Sequence, residues 1–200
     1  MDKYYTIEKT GSSRYTEKMS RFLSFALHVE SAEEARIFIK NYQNEYHDSR
    51  HVCWAYMLGP DRLEWQLNDN GEPSGTAGKP IFGQINSLEL TDVLVVVVRY
   101  FGGIKLGTSG LIAAYREAAR LALEDAGRKE CRRMRRLGVE FSYETADGVM
   151  RIIKNPEVRI LDKSFDNMCH AFIEFPLDME DELVGRLSKI EGIMLIYSVT

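Results

Sequence analysis

The sequence predicts an α+β protein built from two domains, which we place at residues 1–130 and 131–200. Two hundred residues exceed the length of a typical single domain and allow each part to bury a core of its own. After a long predicted helix the apolar pattern changes, and the rest of the chain shows the strand and helix order βαββαβ. With 44% hydrophobic and 28% charged residues, the chain falls in the folded globular class.

Four segments of the first domain alternate or cluster apolar residues as strands do. They lie at residues 4–9, 21–29, 51–58 and 63–68. Between the second and the third, Ser31 and Glu34 have the spacing of a capping box, and apolar residues then recur every three or four positions. We therefore predict a helix over about residues 31–46.

Two glycine-rich segments follow in the first domain. The segment DNGEPSGTAGKP, residues 69–80, contains three glycines and two prolines, which predicts an exposed loop of defined shape with no regular element. The aliphatic run at residues 93–98 predicts a buried strand, and it leads into RYFGGIKLGTSG, residues 99–110. A helix over residues 111–126 follows and ends at Gly127, which suits the C′ position.

The second domain is predicted from six consecutive segments. They are strands at 137–143, 157–163, 168–175 and 193–199, and helices at about 145–154 and 179–190. In the last helix, acidic residues 180–182 suit the positive end of the helix dipole, and Gly192 follows its end. This order of elements is that of ferredoxin-like domains.

The sequence shows no feature of export or membrane insertion. Its first residues mix acidic and basic side chains, and its longest aliphatic run is far below the roughly 20 residues of a membrane span. Three widely separated cysteines, Cys53, Cys131 and Cys169, form no CxxC pair, which argues against a disulfide framework and a zinc ribbon. We expect a cytoplasmic protein with no membrane partner, no metal and no cofactor.

Positive charge is concentrated in RKECRRMRR, residues 128–136, although the net charge of the chain is -4. Such a segment can attract phosphate, so its basic side chains are candidates for contact with nucleic acid. These are Arg128, Lys129, Arg132, Arg133, Arg135 and Arg136. The competing interpretation is a solvated linker or an edge strand, which the sequence favours slightly.

The two glycine-rich segments are the main candidates for a binding site, because glycines concentrate where backbone turns sharply or approaches a ligand. The second joins a buried strand to a helix, whose first N–H groups can receive an anion. The candidate anion-binding residues are Arg21, Gly71, Glu72, Ser74, Gly75, Thr76, Arg99, Gly102, Gly103, Lys105 and Gly107. Neither segment matches the P-loop pattern, which argues against a nucleotide triphosphatase. The alternative is that the glycines only permit tight packing.

A catalytic site is a second hypothesis. Asp69 and Glu72 could act as paired carboxylates, and Cys53 beside His51 could act as an activated nucleophile. The less specific interpretation is that the two acids form turns and the cysteine is packed. His47 and His51 lie four residues apart without an HExxH glutamate, which argues against zinc.

Four motifs, in this order, resemble the YigZ/IMPACT family. The family pattern has Ser-Arg-Phe near its start, a His-x-Cys-Trp-Ala-Tyr segment, a DDGEPSGTAGxP loop and an RYFGGIKLGxGGLxxAY segment. Here they occur at residues 20–22, 51–56, 69–80 and 99–115, and the resemblance covers about residues 15–126. Asn70 replaces an aspartate of the family loop and Ser109 replaces a glycine of the later segment. These departures weaken a metal-binding role for the loop and close approach of a ligand at the later segment.

The resemblance implies a first domain with the fold shared by domain IV of elongation factor G and a small-subunit ribosomal protein, including a left-handed βαβ crossover. The second domain would resemble the ferredoxin-like C-terminal domain of the same factor. The leading hypothesis is thus a translation-associated protein that contacts RNA or the ribosome. The alternatives are a hydrolase of a small phosphorylated or peptide-like molecule, and a module that binds a protein partner. The sequence leaves the oligomeric state open.

Overall fold

The computed structural model describes residues 3–197, which form two compact units. One unit is Lys3–Cys131, and the other is the chain from Arg132 onward. Each unit packs helices against an antiparallel sheet, with an apolar core on both faces of the sheet in the first unit and one core in the second. The predicted fold class, an α+β protein of two domains, is confirmed.

The first unit contains seven strands in two sheets. They are β1 (Lys3–Ile7), β2 (Gly11–Glu17), β3 (Ser20–His28), β4 (His51–Leu58), β5 (Glu64–Asn68), β6 (Val93–Tyr100) and β7 (Arg128–Arg132). Five of them form a sheet in the order β2-β3-β6-β4-β5, with every pair of neighbours antiparallel, and β1 pairs with β7. Strand β2 was not predicted from the sequence, and β7 falls in the basic segment for which an edge strand was one of the alternatives.

Helices cover both faces of the five-stranded sheet. They are α1 (Ala32–Glu45), α2 (Gly78–Ser87) and α3 (Gly107–Ala126). On β6, Val95 and Val97 face the core formed with α2 and α3, whereas Val96 and Val98 face the core formed with α1. The strand is uniformly aliphatic because both of its faces are buried.

The start of α1 matches its prediction. The backbone N–H of Glu34 donates to Ser31 Oγ at 3.2 Å, and the Glu34 carboxylate accepts from the N–H of Glu30 at 2.8 Å. These bonds satisfy donors that a helix start otherwise leaves unpaired.

Helix α2 corrects the prediction that residues 69–80 hold no regular element. The Asp69 carboxylate accepts from the N–H groups of Ala77 and Gly78 at 3.0 and 2.8 Å, and so satisfies the helix start from eight and nine residues upstream. Pro80 lies in the first turn, where a missing N–H costs no helical hydrogen bond. Helix α3 also begins earlier than predicted, at Gly107 rather than at residue 111.

The second unit has the predicted order βαββαβ. Its elements are β8 (Met134–Phe141), α4 (Ala146–Ile153), β9 (Arg159–Phe165), β10 (Cys169–Pro176), α5 (Glu180–Leu187) and β11 (Met194–Tyr197). The strands lie in the order β11-β8-β10-β9 with antiparallel neighbours, and the two helices share one core with the sheet. Residues 198 and 199 of the last predicted strand lie outside the described residues.

Within residues 3–197, no helix combines the length and the apolar character that crossing a membrane requires.

Candidate functional site

An open cavity of about 910 Å³ lies in the first unit, where the ends of β3, β4 and β6 meet the start of α3. Six residues singled out in the sequence line it: Arg21, His51, Glu72, Arg99, Lys105 and Gly107. Asp48 also lines the cavity, together with residues that were not candidates from the sequence, among them Ser49, Arg50, Tyr100, Phe101 and Thr108.

Strand register explains how distant residues reach the same cavity. His51 of β4 lies opposite Arg99 of β6, and Arg21 of β3 lies opposite Tyr100. The N–H of Arg50 donates to the carbonyl oxygen of Arg99 at 3.1 Å, which continues the pairing past the end of β4. Three strand ends therefore present basic and aromatic side chains at one place.

The wall of the cavity has an excess of positive charge, with four basic and two acidic side chains. Of the two acids, Asp48 accepts a hydrogen bond from the Tyr100 hydroxyl at 2.8 Å. Arg50 and Lys105 form no ion pair with any residue between 3 and 197, and the Arg21 guanidinium lies 5.0 Å from the centre of the Tyr100 ring. An anion entering the cavity would thus meet cations that the described part of the protein does not neutralise.

The second acid, Glu72, anchors a buried polar network. Its Oε1 accepts from Arg99 Nη1 at 2.6 Å and from the Tyr115 hydroxyl at 2.8 Å. Its side chain is 3% exposed and that of Arg99 is 6% exposed. The loop that carries Glu72 is thereby tied to β6 and α3.

Cys53 lies beneath this network as a packed residue. Its thiol is buried, 3.0 Å from the carbonyl oxygen of Asp69 and 3.3 Å from the Tyr115 hydroxyl. Burial raises the pKa of the thiol far above its usual value, and burial likewise raises the pKa of the Tyr115 phenol. Because the thiolate is the nucleophilic form, this environment argues against Cys53 as an activated nucleophile.

In the structure, Asp69 and Glu72 have separate hydrogen-bond partners. Besides its bonds to the start of α2, Asp69 accepts from the N–H of Gly75 at 2.8 Å, so it shapes the loop as a turn former does. Asp69 is therefore engaged in the loop, whereas Glu72 forms a buried ion pair with Arg99.

His51, a further catalytic candidate, lines the cavity, and a hydrogen bond fixes the orientation of its ring. Its Nδ1–H donates to the carbonyl oxygen of Asn70 at 2.8 Å, and its Nε2 lies 3.8 Å from Glu72 Oε1. In the neutral ring this bond leaves Nε2 as an acceptor. Among residues 3–197, no group of three histidine, cysteine or acidic side chains is placed to hold a metal ion.

The remaining predicted glycine-segment residues lie outside the cavity wall: Gly71, Ser74, Gly75, Thr76, Gly102 and Gly103. Gly102 shows why one of them is glycine. A Cβ added there would lie 2.0 Å from the backbone carbon of Met19, and the Gly102 N–H donates to Ser20 Oγ at 3.2 Å. Gly102 therefore permits tight packing of two backbone segments, as the alternative interpretation of the glycines expected.

The start of α3 contributes to the cavity through backbone. Leu106, Gly107 and Thr108 line the wall, the helix has no side-chain N-cap, and its first turn carries no acidic residue. The first N–H groups of an α-helix lack helical partners and carry partial positive charge. They lie beside Lys105 and add to the attraction for an anion.

The basic segment 128–136 forms strands rather than a linker, and most of its charge is neutralised. Arg132 pairs with Glu157 and Asp178, Arg135 pairs with Glu180, and Arg136 pairs with Glu174. Arg128 stacks on the Tyr5 ring at 3.6 Å and pairs with Glu89. The segment thus offers less free positive charge than its sequence indicates.

Fold and site together define a two-domain α+β protein with an open, positively charged cavity at the strand ends of its first domain. Residues 18–123 match the model of the Impact N-terminal domain, and the chain belongs to the IMPACT family. It is 35% identical over 182 residues to an IMPACT family member of Haemophilus influenzae, covering 85% of this chain and 87% of that protein.

Two further comparisons span most of the chain. The IMPACT family member YigZ of Escherichia coli is 29% identical over 173 residues, covering 86% of this chain and 85% of YigZ. A crystal structure described as that of a hypothetical protein matches with a TM-score of 0.78 and 26% identity, covering 99% of this chain and 98% of that one. Both domains are thus shared with a solved protein.

Proposed function

We propose that the protein is a translation-associated binding protein that contacts RNA, free or within the ribosome, by receiving backbone phosphate in the cavity of its first domain. One observation carries the proposal. Arg50 and Lys105 lie at the cavity beside the uncapped start of α3 and have no acidic partner between residues 3 and 197. Charged, unpaired donors around a helix start are a common way for proteins to bind phosphate.

The rest of the protein limits this binding to the cavity. The net charge is -4, and the basic segment 128–136 is engaged with carboxylates. A chain of this kind has little general attraction for nucleic acid, because nonspecific affinity depends on the number of phosphates that free cations neutralise. Three cations of the wall, Arg21, Arg50 and Lys105, have no ion pair within residues 3–197, which sets that number at about three.

The second domain supports the same function through its topology. We propose that its βαββαβ order and antiparallel sheet place it with the ferredoxin-like domains, as in the C-terminal domain of elongation factor G. The first domain would correspond to domain IV of that factor. Such a pair of domains suits a protein that works on ribosomal RNA in the cytoplasm.

A salt titration of RNA binding tests the proposal. Fluorescence anisotropy of a labelled RNA is measured with the full chain between 50 and 300 mM salt, for which three phosphate contacts predict a log–log slope of about −2 to −3. Sedimentation through a sucrose gradient then asks whether the protein travels with ribosomal particles at moderate salt. Absence of RNA binding, or binding independent of salt, contradicts the proposal, and in the former case a protein partner is the remaining alternative for the cavity.

Hydrolysis is the second candidate function, and one observation favours it. The Nδ1 bond from His51 to Asn70 orients the ring and leaves Nε2 as a proton acceptor on a residue that lines the cavity, as a general base requires. Incubation with short phosphorylated and peptide substrates should then give turnover with a bell-shaped pH profile. Turnover that persists unchanged in His51→Ala would exclude this role.

A further inference from the structure

We propose that the cavity accommodates one unpaired nucleotide of an RNA strand, with the base against Phe101 and a phosphate at the start of α3. The inference rests on the proposed function and specifies its ligand. It draws on the aromatic and apolar side of the cavity, whereas the proposed function draws on its charge.

The size of the cavity favours a single nucleotide. Its volume of about 910 Å³ falls within the range of roughly 300–1,000 Å³ that small-molecule sites occupy. A base paired within a duplex is stacked between its neighbours and cannot enter such a cavity, whereas a base of a loop or single strand can. The cavity therefore selects unpaired RNA.

Phe101 provides a platform for the base. It lines the cavity and is 49% exposed. Exposure of such a large apolar ring to water is unfavourable, and a stacked base would cover it. The Arg99 guanidinium lies 5.6 Å from the centre of its ring, which adds a cation–π contact. Bases stack readily on aromatic side chains of this kind.

The backbone that carries Phe101 is held in place before any ligand binds. Gly102, the next residue, packs against Met19 so closely that no side chain fits, and its N–H donates to Ser20 Oγ. The ring is thus positioned by the β2–β3 turn. A rigid platform loses little conformational entropy on binding, which favours affinity.

Apolar surface continues beyond Phe101. Met19, joined to this loop through Gly102, is 69% exposed, and Ile104 is 48% exposed. Apolar side chains beside a stacked base can contact the neighbouring base of the strand. Within the cavity itself, Phe101 shares the wall with Arg50 and Lys105.

Two buried polar atoms belong to residues that line the cavity. Ser49 Oγ and Arg99 Nε are buried and have no hydrogen-bond partner among residues 3–197, and Arg99 as a whole is 5% exposed. Buried donors without partners cost free energy, and most folded proteins avoid them. A nucleotide brings carbonyl, ring nitrogen and hydroxyl acceptors to this wall.

Anisotropy measurements on two RNAs test the inference. One is a labelled 12-nucleotide single strand without self-pairing, and the other is the same sequence annealed to its complement. The full chain is compared with Phe101→Ala, with Phe101→Trp, and with Trp65→Ala, which removes a comparably exposed aromatic side chain of the same domain outside the cavity. Thermal unfolding checks that each variant is folded.

The expected result is tighter binding of the single strand than of the duplex. Phe101→Ala should weaken single-strand binding about tenfold and leave duplex binding unchanged, while Phe101→Trp should retain it and Trp65→Ala should change neither. Equal, salt-dependent affinity for both RNAs, or no effect of Phe101→Ala, overturns this inference and leaves the proposed function standing. Binding of neither RNA overturns both.

Discussion

Arg99 Nη1 donates to Glu72 Oε1 at 2.6 Å between two side chains that are each at least 94% buried. The two residues lie 27 positions apart, on β6 and on the first glycine-rich loop. Their ion pair joins the two segments that the sequence marks as functional, and it removes one carboxylate from the charge that a ligand meets. The ion pair also contributes to the stability of the first domain, because it links the loop to β6 in a buried position.

The first prediction concerns this ion pair. Glu72→Gln leaves the Arg99 guanidinium buried without a counter-charge, and breaking a buried pair in this way costs about 3–5 kcal/mol. Urea unfolding followed by tryptophan fluorescence measures the loss, because both tryptophans, Trp54 and Trp65, lie in the first domain. The control is Glu117→Gln, which breaks an exposed pair with Arg120 and should cost less than about 1 kcal/mol. Equal effects of the two variants would contradict this view of Glu72.

The second prediction concerns two glycines with opposite surroundings. Gly102→Ala places a Cβ 2.0 Å from the backbone of Met19 and should destabilise the first domain by about 1–3 kcal/mol or more. Gly83→Ala, in α2, meets nothing within 4 Å and should stabilise it by about 0.5–1 kcal/mol, because alanine favours a helix. Urea midpoints at constant m-value report both changes. A stabilised Gly102→Ala variant would contradict this close packing between Gly102 and the β2–β3 turn.

The third prediction is a loss of stability at alkaline pH. Cys53 and Tyr115 have usual pKa values of 9.0 and 10.0, and burial raises the pKa of each group in the folded protein. Above about pH 9 the unfolded chain therefore binds fewer protons than the folded chain, and the free energy of unfolding decreases as the pH rises. Below that pH both groups are protonated in both states and their contribution is complete. Urea unfolding between pH 7.5 and 11 measures the slope.

Tyr115→Phe provides the control for the alkaline slope. It removes the phenol and its hydrogen bond to Glu72, which costs about 1.5–3 kcal/mol at neutral pH. It should also flatten the decrease above pH 10, because one group that titrates only in the unfolded chain is gone. An unchanged slope in this variant would assign the alkaline loss to other groups.

The fourth prediction separates the three cysteines. Cys53 and Cys169 are buried, whereas Cys131 is partly exposed. With a thiol reagent at pH 8, about one thiol per folded chain should react within minutes and all three should react in denaturant. Cys131→Ser should abolish the fast phase. Fast modification of Cys53 would instead revive its candidacy as a nucleophile.

The fifth prediction concerns the free cations of the cavity. Lys105→Ala should weaken RNA binding and reduce the log–log salt slope by about 0.7–0.9, the contribution of one phosphate contact. Lys40→Ala removes an exposed lysine of α1 outside the cavity and should change neither quantity. A Lys105→Ala variant with wild-type slope would place the phosphates elsewhere.

Local patterns predicted much of the fold, and the misses share one cause. The capping box of α1 and the aliphatic run of β6 depend on neighbouring residues, so they are visible in the sequence. The start of α2 depends on Asp69, eight and nine residues upstream, and β2 is a largely polar strand that is ordered by its pairing with β3. Both depend on hydrogen bonds to a neighbouring segment, which the apolar pattern within one element does not show.

The sequence by itself determined the family, the two-domain α+β class and the two glycine-rich segments, since repeated local patterns and motif spacing carry that information. Tertiary structure decided which charges are free. The six basic residues of 128–136 look most available in the sequence, yet most of them pair with carboxylates from other elements. Arg50 and Lys105 have no such partner in the described part of the chain. The structure likewise places Phe101 on the cavity wall, which the sequence did not indicate. Electrostatic compensation and cavity walls are made by residues far apart in the chain, so only the folded arrangement reveals them.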